Sequence, residues 1–295
     1  MTDPRLAHTR RTRPGGPRTW FDRVRATVFL VLVHAVPPVA FMLGTRPTDW
    51  LAFAIIYPTL AVATGVGLHR YFAHAAFATS RPVQFVMAWM ACLTFVDPIS
   101  FAGKHRLHHR FSDTDRDVHS PAAGFWFCWF GSLIDEGYAE EDLVGAAPDL
   151  TRFPELRWLH RNFVVPGVSL WALLFLTGGF TLFAVGYCLS VVIVLHQTSA
   201  LNYFCHRWGY RRYDTPDGSR NNPLVAFVTF GEGWHNNHHR FPRAARAGVA
   251  WWELDPLHAV IRACAACGLV WDLVVAPRDD SAPRRLLSDL AAGRD

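Results

Sequence analysis

Residues 163–205 read FVVPGVSLWALLFLTGGFTLFAVGYCLSVVIVLHQTSALNYFC and contain no Asp, Glu, Lys or Arg over 43 positions. A helix buried in a soluble protein needs an apolar stretch of only about 10–14 residues, whereas about 20 cross the hydrocarbon core of a bilayer. Gly178 and Gly179 divide the run near its middle, and paired glycines mark turns. The run therefore predicts two membrane-spanning helices joined by a tight turn.

Two shorter uncharged segments precede this run. Residues 26–45 and 50–69 each contain 20 positions without a charged side chain. The complete prediction is four transmembrane helices, at about 26–45, 50–69, 163–177 and 180–205. The segment 82–96 is apolar over only 15 residues. It is interpreted as an interfacial helix, or as one packed beneath the remaining chain.

The distribution of arginine predicts the orientation of these helices. Seven arginines precede the first span, only Arg46 lies between the first and second, and no basic residue lies between the third and fourth. The positive-inside rule then places the N-terminus, residues 70–162 and the C-terminal region in the cytoplasm. The first apolar segment is too long for a signal peptide and is interpreted as retained. The predicted organisation is a basic N-terminal tail (1–25), one integral-membrane domain (26–277) and a C-terminal tail (278–295).

Histidines recur with helical spacing in segments on that cytoplasmic side. KHRLHHRFSD (104–113) and GEGWHNNHHRFP (231–242) each contain histidines at positions i, i+3 and i+4, and GLHRYFAHAAF (67–77) contains two more. Residues with the first spacing share one face of an α-helix. Matched spacing at separate points in the chain predicts that the segments converge on one site. The histidines are His69, His74, His105, His108, His109, His235, His238 and His239.

These eight histidines are too many for one metal ion. Neutral imidazole is the commonest protein ligand for metals, yet a structural zinc takes about four ligands and an octahedral ion about six. Two metals are therefore predicted. Asn202 and His206, at positions i and i+4 near the end of the fourth span, add to the candidate set. His69 and His74 lie about 140° apart on a regular helix, so they are expected to serve different metals or to mark where the second span unwinds.

The segments HRYFAH, HRLHH, NYFCH and GEGWHNNHH, set among four spans, resemble the membrane fatty acid desaturases. The likeness runs from about residue 50 to 275 and is greatest to the Δ9 acyl-CoA and acyl-lipid branch, which is similar to stearoyl-CoA desaturase. It implies an all-α membrane protein with four transmembrane helices and a cytoplasmic helical cap that holds a histidine-rich di-iron site. The ligands it implies, with the asparagine acting through water, are His69, His74, His105, His108, His109, Asn202, His206, His235, His238 and His239.

The same resemblance implies an oxidoreductase that uses two Fe ions and O2 to introduce a cis double bond at Δ9. Side-chain acids and bases do not remove hydrogen from an unactivated methylene chain, whereas a redox metal with dioxygen does. The implied substrate is a long-chain acyl-CoA or acyl-lipid in a membrane, and no nucleic acid is implied. The chain has no nicotinamide-binding glycine motif or ferredoxin cysteine set. A separate electron donor, ferredoxin or cytochrome b5-like with its reductase, is therefore expected.

Four residues are candidates for the wall of an acyl tunnel. By resemblance, Thr198 lies near the bend of the acyl tunnel, and Ser199 stands where animal members carry tryptophan. Tyr57 and Ala61 match positions that close the far end of the tunnel. Ordinary packing between spans explains each of them equally well. Lys104 replaces an acid that helps to hold CoA in animal enzymes, so the head group stays open.

Other functions remain compatible with the histidines. A membrane di-iron hydroxylase would use the same ligands, and a metal transporter would distribute ligands along a path inside its spans. The acids Asp113, Asp117 and Glu232 would either orient imidazoles through the second ring nitrogen or lie solvated at the surface. His196, inside the fourth span, is interpreted as a polar group satisfied by a neighbour. Six cytoplasmic arginines would dock an acidic donor or simply follow the positive-inside rule.

Overall fold

The computed structural model describes residues 19–134 and 137–277. Within these residues the protein is mostly helical, as predicted. A single antiparallel pair joins strand β1 (Ala78–Thr79) to strand β2 (Val270–Trp271), with Ala78 opposite Trp271. Most of the predicted N-terminal tail and all of the predicted C-terminal tail lie outside the described residues.

Two long apolar helices begin the described chain. Helix α1 (Trp20–Leu43) starts six residues before the predicted span, because the Thr19 hydroxyl accepts a hydrogen bond from the Asp22 amide and caps the helix there. Helix α1 therefore includes residues 20–25 of the segment expected to be the N-terminal tail. Helix α2 (Pro47–Val62) begins earlier than predicted at a proline suited to a first turn, and continues as a π-helical segment (Ala63–Ala73).

The 43-residue apolar run forms a helical hairpin. Helix α9 (Val164–Thr181) is interrupted at Gly179, whose φ of 75° and ψ of −166° are not helical. A second π-helical segment (Leu182–Cys188) and helix α10 (Leu189–Phe204) follow. The ring centroids of Trp171 and Tyr187 are 6.0 Å apart, whereas a straight helix would separate residues 16 positions apart by about 24 Å. The chain therefore reverses at Gly179, as the glycine pair predicts.

In the part of the chain that the structure describes, three continuous helical stretches are long and apolar enough to cross a membrane, namely Trp20–Leu43, Pro47–Ala73 and Val164–Phe204. The third is the hairpin just described. Their outer faces leave large apolar side chains such as Leu32, Leu51 and Leu176 exposed. Where the long helices meet, Leu60 of α2 packs with Leu174 and Tyr187 of the hairpin in a buried cluster.

The shorter elements between residues 78–161 and 205–271 form what we call the cap. Helix α3 (Arg81–Cys92) packs against the first π-helical segment, α8 (Pro154–Arg161) and α9. Helix α4 (Pro98–Phe111) packs against that π-helical segment, α6 (Glu140–Ala146) and α8. The remaining helices are α5 (Ser132–Ile134), α6 (Glu140–Ala146), α7 (Pro148–Thr151), α8 (Pro154–Arg161), α11 (Pro223–Val228), α12 (His235–Arg240) and α13 (Pro256–Ala266), with a 3₁₀ turn (Pro121–Ala123) and a third π-helical segment (Phe127–Gly131).

Candidate metal centre

Nine histidines converge where the long helices meet the cap, and they form two groups. Within each group, one ring nitrogen from every histidine lies within 4.8 Å of the others. We call them the five-histidine cluster and the four-histidine cluster. The first contains His69, His74, His105, His109 and His238, and the second contains His108, His206, His235 and His239.

The Nε2 atoms of the five-histidine cluster face one another. The Nε2 atom of His105 is 2.8 Å from that of His74 and 3.0 Å from that of His109. The Nε2 atom of His238 is 2.9 Å from that of His109 and 3.0 Å from that of His69. One ring nitrogen offers either one N–H or one lone pair, so these contacts cannot all be hydrogen bonds. Converging nitrogen lone pairs fit a metal cation.

The four-histidine cluster has the same character. The Nε2 atom of His235 is 3.1 Å from that of His206 and 3.0 Å from that of His239. The Nε2 atom of His108 is buried without a hydrogen-bond partner, and its ring lies 5.4 Å from that of His206. A buried polar atom without a partner costs free energy, and a bound cation would remove that cost. Both clusters therefore fit a metal by the chemistry of their donors.

Two cap helices each contribute histidines to both clusters. On α4, His105 and His109 join the five-histidine cluster, while His108 joins the other. On α12 the assignment is reversed, since His238 joins the five-histidine cluster and His235 and His239 join the other. The rings of His109 and His239 are 4.4 Å apart, so the two clusters adjoin.

His69 and His74 lie in the same cluster, with ring centroids 5.1 Å apart. The first alternative, that they serve different metals, does not fit this grouping, because it assumed a regular α-helix. The second alternative, that they mark where the second span unwinds, agrees with the π-helical residues 63–73. A π-helix is closed by i to i+5 hydrogen bonds, so residues five positions apart come close together.

Carboxylates bind the second ring nitrogen of four of the histidines. The Nδ1 atom of His108 is 3.0 Å from Asp117, that of His206 is 3.0 Å from Asp113, and that of His239 is 2.7 Å from Asp217. Glu232 contacts His69 in the same way. When Nδ1–H donates to a carboxylate, the Nε2 lone pair is directed toward the metal. Asp113, Asp117 and Glu232 therefore contact imidazoles, and are not solvated surface acids.

Two members of this outer layer were not anticipated from the sequence. Asp217 stands in the segment TPDGS, where Asp-Gly indicates a turn, and nothing local shows that it reaches His239. Arg70 is buried, and it donates to Glu232, to Asp255 at 2.9 Å and to the Ala245 carbonyl at 2.8 Å. An arginine beside a histidine at the end of an apolar span could have suggested a buried ion pair, because a charge there needs a partner.

The histidines outside the spans are mostly held neutral. Burial, followed by the charges of neighbouring histidines, lowers the pKa well below the usual value for His74, His105, His109, His235, His238 and His239. Neutral imidazole is the form that binds metals. Burial also lowers the pKa of His108, but Asp117 outweighs it and the net shift is upward. A cation at the Nε2 atom of His108 would take the place of that proton.

Burial acts to raise the pKa of Glu232, but His69 and Arg70 outweigh it and hold that pKa at about 2. The carboxylate therefore stays ionised at neutral pH and accepts the proton on the Nδ1 atom of His69. Burial likewise acts to raise the pKa of Asp117, and His108 reverses the shift and lowers it.

Asparagines hold the short helix α12 in place. The Asn221 side-chain oxygen accepts from the backbone amides of Asn236 at 3.0 Å and Asn237 at 3.1 Å. The Asn236 side-chain oxygen accepts from the amides of Arg212 and Tyr213, both at 2.8 Å. A six-residue helix is not stable by itself. These buried amides give Asn236 and Asn237 a role that their spacing did not indicate.

A cavity of about 1020 Å³ adjoins the five-histidine cluster and is lined by His69 and His105. Its wall includes Phe29, Phe95, Phe101 and Val194, and charged residues including Asp22, Arg25, Lys104 and Glu140 also line it. Asn202, on the last turn of α10, lines this cavity as well as a smaller one of about 130 Å³ that shares part of its wall. A cavity of this volume with a largely apolar wall, beside the five-histidine cluster, can accommodate a hydrocarbon chain.

The four candidate tunnel residues lie around these two cavities. Ala61 and Thr198 line the larger one, and Ser199 lines the smaller one. Tyr57 is not among the residues that line either cavity. Its hydroxyl accepts a hydrogen bond of 2.6 Å from the Gln197 amide, and Gln197 lines the larger cavity.

Comparison with known proteins gives one family and several relatives. Residues 48–272 match the model of the fatty acid desaturase family. The chain is 38% identical to the icosanoyl-CoA 5-desaturase of Limnanthes douglasii over 85% of this chain and 72% of that protein. It is 34% identical to Delta-9 acyl-lipid desaturase 1 of Arabidopsis thaliana, over 90% of this chain and 88% of that protein. It is 33% identical to the sn-1 stearoyl-lipid 9-desaturase of Anabaena variabilis, over 85% of this chain and 94% of that protein.

Proposed function

This chain belongs to the fatty acid desaturase family, and on that premise we propose that it is an oxygen-dependent desaturase that introduces a cis double bond at Δ9. Its substrate is a saturated acyl chain carried on CoA or on a lipid. The observation that carries the proposal is the placement of two adjoining imidazole clusters beside a 1020 Å³ cavity with an apolar wall.

The two clusters would hold two irons. Five histidines would bind one iron and four histidines the other. By the resemblance, Asn202 would act on the centre through water, and it lines both cavities. When bound, the irons and dioxygen supply the oxidising power to remove two hydrogens from adjacent methylenes. The contribution of the protein is to fix the imidazoles. Asp113, Asp117, Asp217 and Glu232 hold four rings in the tautomer that presents Nε2 to the metal.

The cavity would position the acyl chain. Its aromatic and aliphatic wall buries methylenes and excludes water, which stabilises a chain held in one conformation. Only a methylene next to the clusters can react, so the depth of the chain in the cavity determines the position of the bond. Of the relatives reported above, one acts by name at position 5 and two at position 9. We propose Δ9 because the histidine segments of this chain resemble those of the Δ9 branch.

We infer four membrane crossings with the clusters on the cytoplasmic side. The family is membrane-bound, and the reversal at Gly179 divides the third apolar stretch into two helices. His69 near the end of the second helix and His206 just after the fourth lie at the same end of the bundle. The arginine bias of the sequence supports a cytoplasmic location for that end.

A separate donor would deliver the electrons. Exposed arginines adjoin two histidines of the four-histidine cluster in the chain, Arg207 directly after His206 and Arg240 directly after His239. An acidic ferredoxin or cytochrome b5-like protein would be attracted to this surface.

The test is expression in a host that provides both kinds of donor, followed by analysis of total fatty acids. We expect new monounsaturated chains with the double bond at Δ9. The double variant His105→Ala with His239→Ala, which removes one ligand from each cluster, is the negative control. Hydroxylated chains in place of alkenes would establish the hydroxylase, and metal accumulation without a lipid change would establish the transporter. An unchanged lipid profile with iron and donor present would contradict the proposal.

A further inference from the structure

A chain of hydrogen bonds outside both clusters connects two half-buried histidines of neighbouring long helices. The Nε2 atom of His34 on α1 is 3.1 Å from the Nε2 atom of His196 on α10. At one end, the Nδ1 atom of His34 is 2.6 Å from the Leu30 carbonyl. At the other end, the Trp129 indole N–H donates to the Nδ1 atom of His196 at 2.8 Å. We call this set the histidine relay.

The relay has only one arrangement of protons in which every contact is a hydrogen bond. An indole nitrogen can only donate, so the Nδ1 atom of His196 accepts and its Nε2 atom carries the proton. That proton is donated to the Nε2 atom of His34, and the Nδ1 atom of His34 then carries a proton for the Leu30 carbonyl. Both imidazoles are neutral in this arrangement. The Trp129 indole therefore fixes the tautomer of His196, and His196 together with the Leu30 carbonyl fixes the tautomer of His34.

Trp129 connects the relay to the substrate cavity. It lies on the π-helical segment Phe127–Gly131 and lines the smaller cavity together with Thr198, Ser199 and Asn202. The Ser199 hydroxyl donates to the Trp129 carbonyl at 3.0 Å, so α10 holds both the backbone and the ring of this residue. A change in the orientation of the indole would change the space beside Asn202.

We propose that His34 and His196 are positioning residues that hold the Trp129 indole against the acyl cavity and thereby determine which methylene lies beside the clusters. This inference rests on the proposed function. Polar groups among apolar helices cost free energy unless they are paired. Two histidines placed only for packing would be replaceable by aliphatic residues, whereas a relay that orients an indole needs their nitrogens.

The test measures the positional isomers of the product. In His196→Leu the indole N–H loses its acceptor, and in His34→Phe the relay loses its second imidazole while ring volume is kept. A neutral hydrogen bond contributes about 1 kcal/mol, so its loss changes a conformer ratio by about fivefold. We expect the ratio of the principal double-bond isomer to its neighbours to fall by up to about fivefold in His196→Leu, and by less in His34→Phe.

A rescue variant separates orientation from packing. In His196→Asn the amide oxygen can accept from the indole near the position of Nδ1, so the isomer ratio should return toward that of the unchanged protein. His258→Leu is the matched control, because His258 is also half-buried and its Nδ1 atom contacts the Ala245 carbonyl at 3.3 Å. It lies on α13, and we expect it to leave the isomer ratio unchanged.

The outcomes distinguish this inference from the proposed function. If the unchanged protein forms no alkene, the proposed function fails. If it forms alkenes, and His196→Leu and His34→Phe both give its isomer ratio, the relay does not position the substrate and the inference is overturned. If either His196→Leu or His34→Phe does not accumulate with bound iron, the isomer ratio of the other variant decides. A shift in His196→Leu that His196→Asn does not reverse would also overturn it, because packing alone would then explain the shift.

Discussion

An imidazole of the centre can bind a metal only if its unprotonated nitrogen faces the middle of the cluster. For four of the histidines, a single carboxylate at the Nδ1 atom holds the ring in that orientation. Asp217 illustrates the point, because its carboxylate binds His239 at 2.7 Å and also accepts from the amide of Ser219 at 3.0 Å. The acid is thus held by its own loop while it holds the histidine. Removing its charge leaves every metal ligand in place but weakens the orientation of one ring.

We expect Asp217→Asn to reduce iron affinity by about 10- to 100-fold, the usual effect of losing such an outer partner. The measurement is competition for iron against a chelator of known affinity, with alkene formation as the second readout. Asp214→Asn is the matched control, since Asp214 lies on the same loop, is exposed, and pairs only loosely with Arg211 at 3.6 Å. Equal affinities in the two variants would show that Asp217 does not support the site.

The histidines themselves were predictable because imidazole is the commonest protein ligand for metals and the spacing i, i+3, i+4 repeats. The division of the histidines into two clusters was not predictable from the sequence. The sequence indicates that His105, His108 and His109 share a face, but not that His108 turns toward a different cluster. Asp217 and Asn221 act on α12 from 22 and 15 positions away in the chain. Such partners follow from the folded path of the loop, which no local pattern specifies.

Among the helices, α4 carries three of the nine histidines, and its position depends on one glycine. A Cβ atom on Gly103 would collide with the backbone of Leu143 on α6. We expect Gly103→Ala to lower stability by about 1–3 kcal/mol, the usual cost of overpacking. Bound iron should fall as well, since α4 must move away from α6. Thermal unfolding in detergent and iron content are the measurements.

Gly145→Ala on α6 is the matched control. A Cβ atom there meets no atom within 4 Å, and alanine favours the helix over glycine by roughly 0.5–1 kcal/mol. This variant should be equal or slightly higher in stability and keep its iron. A Gly103→Ala protein that is as stable as Gly145→Ala would show that α4 and α6 need not approach so closely.

The limits of prediction differ between kinds of element. The long helices were located to within a few residues, since apolar length alone determines them, and the glycine pair located the reversal. The three π-helical segments were not predicted, because their composition is the same as that of an α-helix. The second span was predicted to end at His69 because the next residue, Arg70, is charged, while the π-helical segment continues to Ala73.

On the scale of the whole molecule, one histidine joins three parts of the cap. His160 of α8 donates from Nδ1 to Asp97 at 2.9 Å, at the start of α4, and from Nε2 to Glu140 of α6 at 2.7 Å. The hydrogen bond to Asp97 raises the pKa of His160, burial opposes it, and the charges of both acids carry the pKa to about 9.

A raised pKa means that the folded state binds this proton more tightly than the unfolded state does. The stabilisation is complete below the unfolded pKa of about 6.5 and is lost as the pH rises through about 9. We expect the unfolding temperature to fall over this interval, and to fall less in His160→Gln, which cannot be charged. Parallel curves for the two proteins would show that His160 does not stabilise the cap by its charge.

Removal of metal should also act on the whole molecule. Metal that binds only the folded state stabilises it, by about 4 kcal/mol when free metal is at 1,000 times its dissociation constant. We expect a chelator to lower the unfolding temperature and added Fe²⁺ to restore it. The double variant that lacks His105 and His239 should respond much less. An equal response in both proteins would place the stabilising metal elsewhere.

The crossing of ligands between the clusters has a consequence for assembly. Because α4 and α12 each hold ligands of both sites, an iron that fixes these helices at one site also builds the other. Loading should therefore be cooperative, and a protein with a single iron should be a minor species throughout a titration. By the same coupling, damage to either helix would empty the centre in one step, so that protein lacking full activity would consist mainly of chains with no iron.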